Sequence, residues 1–438
     1  MPSTLQDWLA YIERQHPKSI EMGLDRVREV AVRMGLAKPA RRVATIAGTN
    51  GKGSTVAFME AIAREAGLRV GAYTSPHLLA YNERVRIDGR QASDEALVAA
   101  FAEVERARGG VPLTYFEFGT LAALWLFARS GLDLAILEVG LGGRLDATNL
   151  VDPDVAVVTT VDLDHQAWLG DDREAIGFEK AGIARAWTPL VLGDDDPPAS
   201  VLRHAYAIGA PAIRAGSDFF FEMLPGADAD SAPVAWRWRE LGHALDLPLP
   251  ALAAPVQLRN AAVAIAALRA LDVEIPPEAV ARGVAGADLP GRLQRFERDG
   301  VEIRIDVGHN PQAARELAAW LDARPITGRT HAVYAALADK DAGAVVAGLD
   351  GRIDGWWLAG TTGAGPRGQS VEALAARLPG TTAAQVRRCV DAPAALRAAL
   401  AETRPGDRVL VFGSFHAAET VLRALQGRGS EAGRDAGV

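Results

Sequence analysis

Short β-branched runs alternate along this chain with longer stretches whose apolar residues recur at helical spacing. The runs at 42–48 (RVATIAG), 69–75 (RVGAYTS), 133–141 (DLAILEVGL), 154–162 (DVAVVTTVD) and 189–193 (PLVLG) have strand character, while 54–67 and 118–131 read as helices. Such alternation predicts a parallel sheet with helices on its faces. Between 216 and 250 the pattern changes: FFFEML and VAWRWRE alternate with a period of two around PGADADSAP. This predicts a small antiparallel insertion packed on the first domain. Trp236 and Trp238 would share its core face, with Arg237 and Arg239 on the other.

Helical patterns at 257–271 and 277–286 precede GADLPGR (286–292), a linker by composition. A second strand-and-helix series follows, with strands expected at 301–308, 330–337, 355–360 and 408–414. The expected fold is α/β in two parts: a phosphate-loop domain with an antiparallel insertion over 1–287, a linker over 288–295, and a Rossmann-like domain over 296–425. The polar, glycine-rich 426–438 is expected to be disordered.

Composition narrows the class. The 438 residues are 49% hydrophobic and 23% charged, ordinary for two or three globular domains. A formal net charge of −8 leaves no basic footprint for nucleic acid. Cys389 is the single cysteine and forms no internal disulfide, which fits a reducing compartment. The N-terminus lacks the charge and apolar pattern of a signal peptide, and no run approaches ~18 apolar residues. A cytoplasmic location away from membranes is expected.

The chemistry begins at AGTNGKGS (47–54), a glycine-rich turn between a strand and a helix. Backbone amides in such a turn, beside a helix N-terminus, cradle phosphate oxygens, and Lys52 can reach the terminal phosphates. The spacing departs from the common phosphate loop: Ile46 stands where it has its first glycine, and Gly53 separates Lys52 from the hydroxyl of Ser54. A phosphate site needs a cation with hard ligands. Glu138 ends one apolar strand, His165 follows the next, and Ser75 follows the second strand, so all three are expected on one sheet rim.

AGTNGKGS, YTSPHL, ERVRIDG, TYFEFGTLAALWLF, EVGLGGRLDATN, DHQAWLG, EKAGI, DVGHNP, LADKD and GSFHAAETVL occur in this order. Together they resemble the bacterial bifunctional dihydrofolate synthase/folylpolyglutamate synthase family, relatives of the Mur ligases, from about residue 5 to 425. The resemblance implies a Mur-ligase-like fold and an ATP-dependent amide ligase. A substrate carboxylate attacks the γ-phosphate, and L-glutamate captures the acyl phosphate. It implies ATP binding by Asn50, Gly51, Lys52 and Gly53, with Asn260, Arg292 and Asp306 also contacting the nucleotide. It implies magnesium, as two ions, on Ser75, Glu138 and His165.

The resemblance also implies that Lys52, Lys180, Asp306 and His309 are catalytic. Lys180 matches a lysine that carbon dioxide converts to a carbamate, although read by itself it is an ordinary cation facing phosphate. Gly308 in DVGHNP stands where alanine is expected, which would loosen that turn. Dihydropteroate would meet Ile20, Glu21, Thr114, Tyr115, Phe116, Glu117, Leu145, Asp146 and Ala147, with Asp146 as the principal pterin acceptor. Each of these has a plainer reading: Phe116 as core, Asp146 as a helix cap, Glu21 as a solvated charge. The implied partners are dihydropteroate, reduced folates, L-glutamate and ATP, acting on a monomer.

Two other functions fit part of this pattern. A nucleotide-hydrolysing switch needs the phosphate loop but not a DVGHNP turn in a second domain. A Mur enzyme acting on a UDP-sugar normally carries an extra N-terminal domain, and too little chain precedes residue 48 for one. Division of the nucleotide's partners between two domains makes closure a natural gate against water.

Overall fold

Five of the six residues of Arg42–Ala47 (β1) are buried, because this strand lies inside a sheet covered on both faces, where continuous apolar runs are required. The computed structural model describes residues 2–18, 20–226, 234–383 and 386–432. The chain divides into two compact units, Met1–Ala251 with Gln257–Asp288, and Leu252–Val256 with Leu289–Val438. The short segment Leu252–Val256 thus groups with the second unit, although it leads into the last two helices of the first and ends on the first residue of Val256–Ala270.

The first unit is built on eight strands: β1, Val70–Tyr73 (β2), Val85–Ile87 (β3), Arg90–Gln91 (β4), Leu134–Glu138 (β5), Val155–Val158 (β6), Leu190–Leu192 (β7) and Ala212–Arg214 (β8). Their order is β4-β3-β2-β5-β1-β6-β7-β8. The pairs from β2 to β8 are parallel, and the β3–β4 edge is antiparallel. The chain runs from β1 to β2 on one side and later from β5 across β1 to β6 on the other. Such a reversal opens a crevice at the carboxyl ends of the central strands. Two apolar clusters lie side by side on one face of the sheet, one containing Trp8, Phe101, Phe118 and Phe127, the other containing Val158, Ile176 and Leu192, because Leu137, Val158 and Leu192 share that face by register. The helix Lys52–Glu65 also packs on β1, β2 and β5.

The insertion is a three-stranded antiparallel sheet of Phe219–Met223 (β9), Ala235–Glu240 (β10) and His243–Pro248 (β11), in the order β11-β10-β9. Most of the turn expected between β9 and β10, residues 227–233, lies outside the described residues. Trp236 and Trp238 are fully buried. Their indole N–H groups donate to the carbonyls of Pro248 at 3.0 Å and Ala262 at 3.2 Å, and the second bond fastens the insertion to the helix Val256–Ala270.

The second unit has six strands, Gln294–Arg298 (β12), Val301–Ile305 (β13), Thr330–Tyr334 (β14), Gly355–Ala359 (β15), Arg387–Cys389 (β16) and Arg408–Phe412 (β17), ordered β12-β13-β17-β14-β15-β16. All pairs are parallel except β12–β13. The stretch expected as a linker therefore ends inside β12. The last helix, Phe415–Ala432, enters the stretch expected to be disordered, and 433–438 lie outside the described residues. No helix among the described residues is long and apolar enough to cross a membrane.

Candidate active site

At the carboxyl end of β1 the chain turns through Gly48 to Gly51 into the helix Lys52–Glu65. Gly51 caps that helix at φ 85°, and a Cβ there would lie 2.5 Å from Asn260 Oδ1. Glycine is therefore required twice over, by backbone conformation and by the approach of a buried asparagine. The loop is clamped from β6: Thr159 Oγ1 donates to Asn50 O at 2.6 Å, Thr49 N to Thr160 O at 2.8 Å, and Asp162 N to Thr49 Oγ1 at 3.0 Å. Lys52 Nζ donates to the carbonyls of Gly48 at 3.0 Å and Thr49 at 3.3 Å. Gly51 at the N-cap has no side chain to cap the helix, and no acid stands in its first turn. A helix start of this kind favours an anion.

Glu138 ends β5, 4% exposed, and its Oε2 accepts the backbone N–H of Ser75 at 3.1 Å. The two candidate ligands thus meet, because β2 and β5 are parallel neighbours. His165 follows β6, two strands from β5. It adopts φ 52° at the head of the short helix Gln166–Leu169, with Nε2 4.0 Å from Asp164 Oδ2. Among the described residues no three His, Cys, Asp or Glu side chains gather to hold a metal by themselves. Magnesium is commonly held by one or two carboxylates plus substrate phosphates and water, and a single carboxylate beside a hydroxyl residue fits that requirement.

Lys180 lies in the helix Arg173–Ala181 and is 3% exposed. Burial, reinforced by the charge of Lys52 and opposed by Asp164, brings its ammonium down to a pKa of about 7. This side chain is close to half neutral at pH 7, as an ordinary surface lysine is not.

The three segments expected to meet a pterin come together. Arg26 joins two of them: Nε donates to Glu117 Oε2 at 2.9 Å and Nη1 lies 3.6 Å from Glu21 Oε2. Gly23 N donates to Leu145 O at 3.3 Å, which ties in the third. The Phe116 ring packs at 5.8 Å on Tyr73, at the end of β2. Ile20 is half-buried here and Ala147 buried. Thr114 and Glu117 form a capping box on the helix Tyr115–Ala128, so their polar groups have a structural duty too.

Asp146 fits its plainer reading as well. Its Oδ2 accepts the amides of Gly140 at 3.0 Å and Leu141 at 2.9 Å, and its Oδ1 accepts Thr148 N at 3.0 Å and Thr148 Oγ1 at 2.7 Å. Burial raises its carboxyl to about 6 against these bonds. Four donors fill a carboxylate's usual capacity, so a pterin N–H would have to displace one.

In the second unit, the turn after β13 carries Asp306 and His309. Asp306 accepts Leu293 N at 2.9 Å and Gly308 N at 2.7 Å; burial raises its carboxyl, opposed first by Arg292. His309 Nδ1 lies 2.9 Å from Val307 O, so this nitrogen carries a proton toward that carbonyl. Arg292 and His309 flank Phe415, at 5.6 and 6.3 Å. Gly308 does not loosen the turn as expected. Its N–H holds Asp306, its carbonyl accepts Gly413 N at 2.9 Å, and an added Cβ would press Asp306 Oδ1 at 2.9 Å. Thr159, Thr160 and Arg26 were missed from sequence; the paired hydroxyls just past β6 were the available signal for the first two.

Fold and site together define a ligase of the Mur class: the Mur ligase middle domain matches residues 46–268 and the Mur ligase glutamate ligase domain matches 291–415. A dihydrofolate synthase/folylpolyglutamate synthase of Escherichia coli (strain K12) is 45% identical over 430 residues, covering 98% of this chain and 97% of that protein. The chain belongs to the dihydrofolate synthase/folylpolyglutamate synthase family. It is similar to the structure of E. coli FolC in complex with DHPP and ADP, with a TM-score of 0.91 at 44% identity over 98% of this chain and 100% of that one. It is also similar to a bifunctional folylpolyglutamate synthase/dihydrofolate synthase with Mn, AMPPNP and L-glutamate bound, with a TM-score of 0.88 at 44% identity over 97% and 98% of the two chains.

Proposed function

We propose that this chain is an ATP-dependent ligase that joins L-glutamate to dihydropteroate, giving dihydrofolate, and to the γ-carboxylate of reduced folates, in both cases through an acyl phosphate. The observation that carries this reading is the meeting of a phosphate cradle and a buried carboxylate at one edge of one parallel sheet. Asn50 to Gly53 and the helix N-terminus bind the phosphates of ATP, with Lys52 at the γ-phosphate and Asn260 behind the loop. The substrate carboxylate attacks the γ-phosphorus and ADP leaves. The amine of glutamate then adds to the acyl carbon, phosphate leaves, and His309 takes the proton. Arg292 and Asp306 contact the nucleotide from the second unit.

Magnesium, proposed as two ions, would be held by Ser75, Glu138 and His165 and supplies charge neutralisation at the transferring phosphoryl group. Lys180 is proposed to be a carbamate: its neutral amine adds to carbon dioxide, forming an N–C bond and releasing one proton. Its deep burial and its pKa of about 7 support this, since the neutral amine is the reactive form. Ile20, Glu21, Thr114 to Glu117 and Leu145 to Ala147 line the pterin site, and the enzyme works as a cytoplasmic monomer. Phosphate release tests the reading: it should require ATP, glutamate and either dihydropteroate or a reduced folate together. Equal release from ATP alone would instead indicate a switch.

A further inference from the structure

Four arginines among the described residues are at least nine-tenths buried: Arg84, Arg108, Arg304 and Arg408. Three of them have carboxylate partners. Arg108 forks onto Glu105 at 2.6 and 2.9 Å, and Arg304 and Arg408 share Glu302 at 2.6 and 2.7 Å. Arg84 has none. Its Nε donates to His77 Nδ1 at 2.8 Å, and its guanidinium lies 5.4 Å from the Tyr81 ring and 5.6 Å from the Tyr115 ring. Neither terminal nitrogen has an acceptor among the described residues, and no carboxylate there pairs with it. Arg84 is 9% exposed, and a guanidinium with five donors and one protein acceptor keeps its terminal N–H groups available to an incoming anion, since ring faces satisfy them only in part. The neighbouring Arg86 shows the ordinary solution, a carboxylate partner: its Nε and Nη2 both donate to Glu60 Oε2, at 2.9 and 2.7 Å.

The position of Arg84 suggests what its missing partner is. Thr74 N donates to Arg84 O at 2.9 Å, which ties the arginine to the end of β2, one residue before Ser75. Tyr115 belongs to the proposed pterin segment. His77 and Tyr115, the half-buried members of this box, form its accessible side. An anion arriving here would come with the acid substrate. A guanidinium fork stabilises the anion and so weakens it as a nucleophile, which suits a carboxylate that does not react better than the one that attacks phosphorus. We propose that Arg84 receives the non-reacting α-carboxylate of a glutamyl substrate, a group that folates carry and dihydropteroate lacks. The proposal rests on the ligase reading above and makes Arg84 a residue that tells the two substrates apart.

The test compares the unmutated protein with Arg84→Met and Arg84→Lys, measuring kcat and KM for dihydropteroate and for a reduced monoglutamyl folate, together with thermal unfolding. Arg84→Met should raise the folate KM about 10- to 100-fold and leave the dihydropteroate KM unchanged. Its melting temperature should not fall, because the change removes an unpaired buried charge. Arg84→Lys keeps the charge without the fork and should raise the folate KM less. Equal KM increases for both substrates, or a lowered melting temperature with parallel loss of both activities, would overturn the proposal. Equilibrium binding of the two acids to the same proteins gives an answer without turnover. Failure of the ligase reading, seen as no glutamylated product from the unmutated protein, therefore remains distinguishable.

Discussion

An ammonium shut away from water next to a second lysine gives up its proton easily, and this makes Lys180 the most informative single residue of the site. With its pKa lowered from 10.5 to about 7, carbamate formation, which uses the neutral amine, should grow as pH rises through 7. An unmodified Lys180 would act through linkage in the same direction: its stability cost is full below pH 7 and fades toward 10.5 as the unfolded chain loses its proton. Lys180→Ala should lose most ligase activity and regain part of it with short carboxylic acids, while an intact mass showing unmodified lysine and no rescue would contradict the carbamate. Asp146 poses the opposite problem, a carboxylate already holding four donors. If it also accepts the pterin, Asp146→Ala should reduce dihydropteroate ligation well beyond tail extension. Equal loss of the two would mean that it serves both as a cap.

The strand–loop–helix unit around Gly51 is where sequence and structure agree most closely, because its requirements are local. Gly51→Ala must place a Cβ at φ 85° and 2.5 Å from Asn260 Oδ1. A left-handed alanine costs about 1 kcal/mol before any clash, and a displaced loop misplaces the phosphates. The expected loss of kcat/KM for ATP is about 100-fold, with the fold retained by circular dichroism; near-normal ATP use would contradict the cradle. The parallel strands were legible because buried β-branched runs leave a continuous signal. The hairpins β3–β4 and β12–β13 were not predicted, although both turn on Asp-Gly pairs, Asp88–Gly89 and Asp299–Gly300, with all four φ values positive. Their strands are too short or too exposed to show a pattern. Contacts such as Arg26 with Glu117, 91 residues apart, and the burial of Lys180 exist only once the elements pack, so no local motif reveals them.

At the scale of the whole molecule, the residues proposed for the chemistry come from both units, so ATP and the acid substrate are expected to act on them together. Small-angle scattering should show a smaller radius of gyration with an ATP analogue and a folate bound than with neither; an unchanged radius would count against closure as the gate. One chain is proposed to make two kinds of amide bond to glutamate. The most direct measurement is the mass of the products after incubation with ATP, magnesium and L-glutamate, using dihydropteroate in one reaction and a reduced monoglutamyl folate in the other. Each acid should gain one glutamyl residue, with one ADP and one phosphate formed per bond. ATP hydrolysis without a glutamylated product from either acid would contradict this.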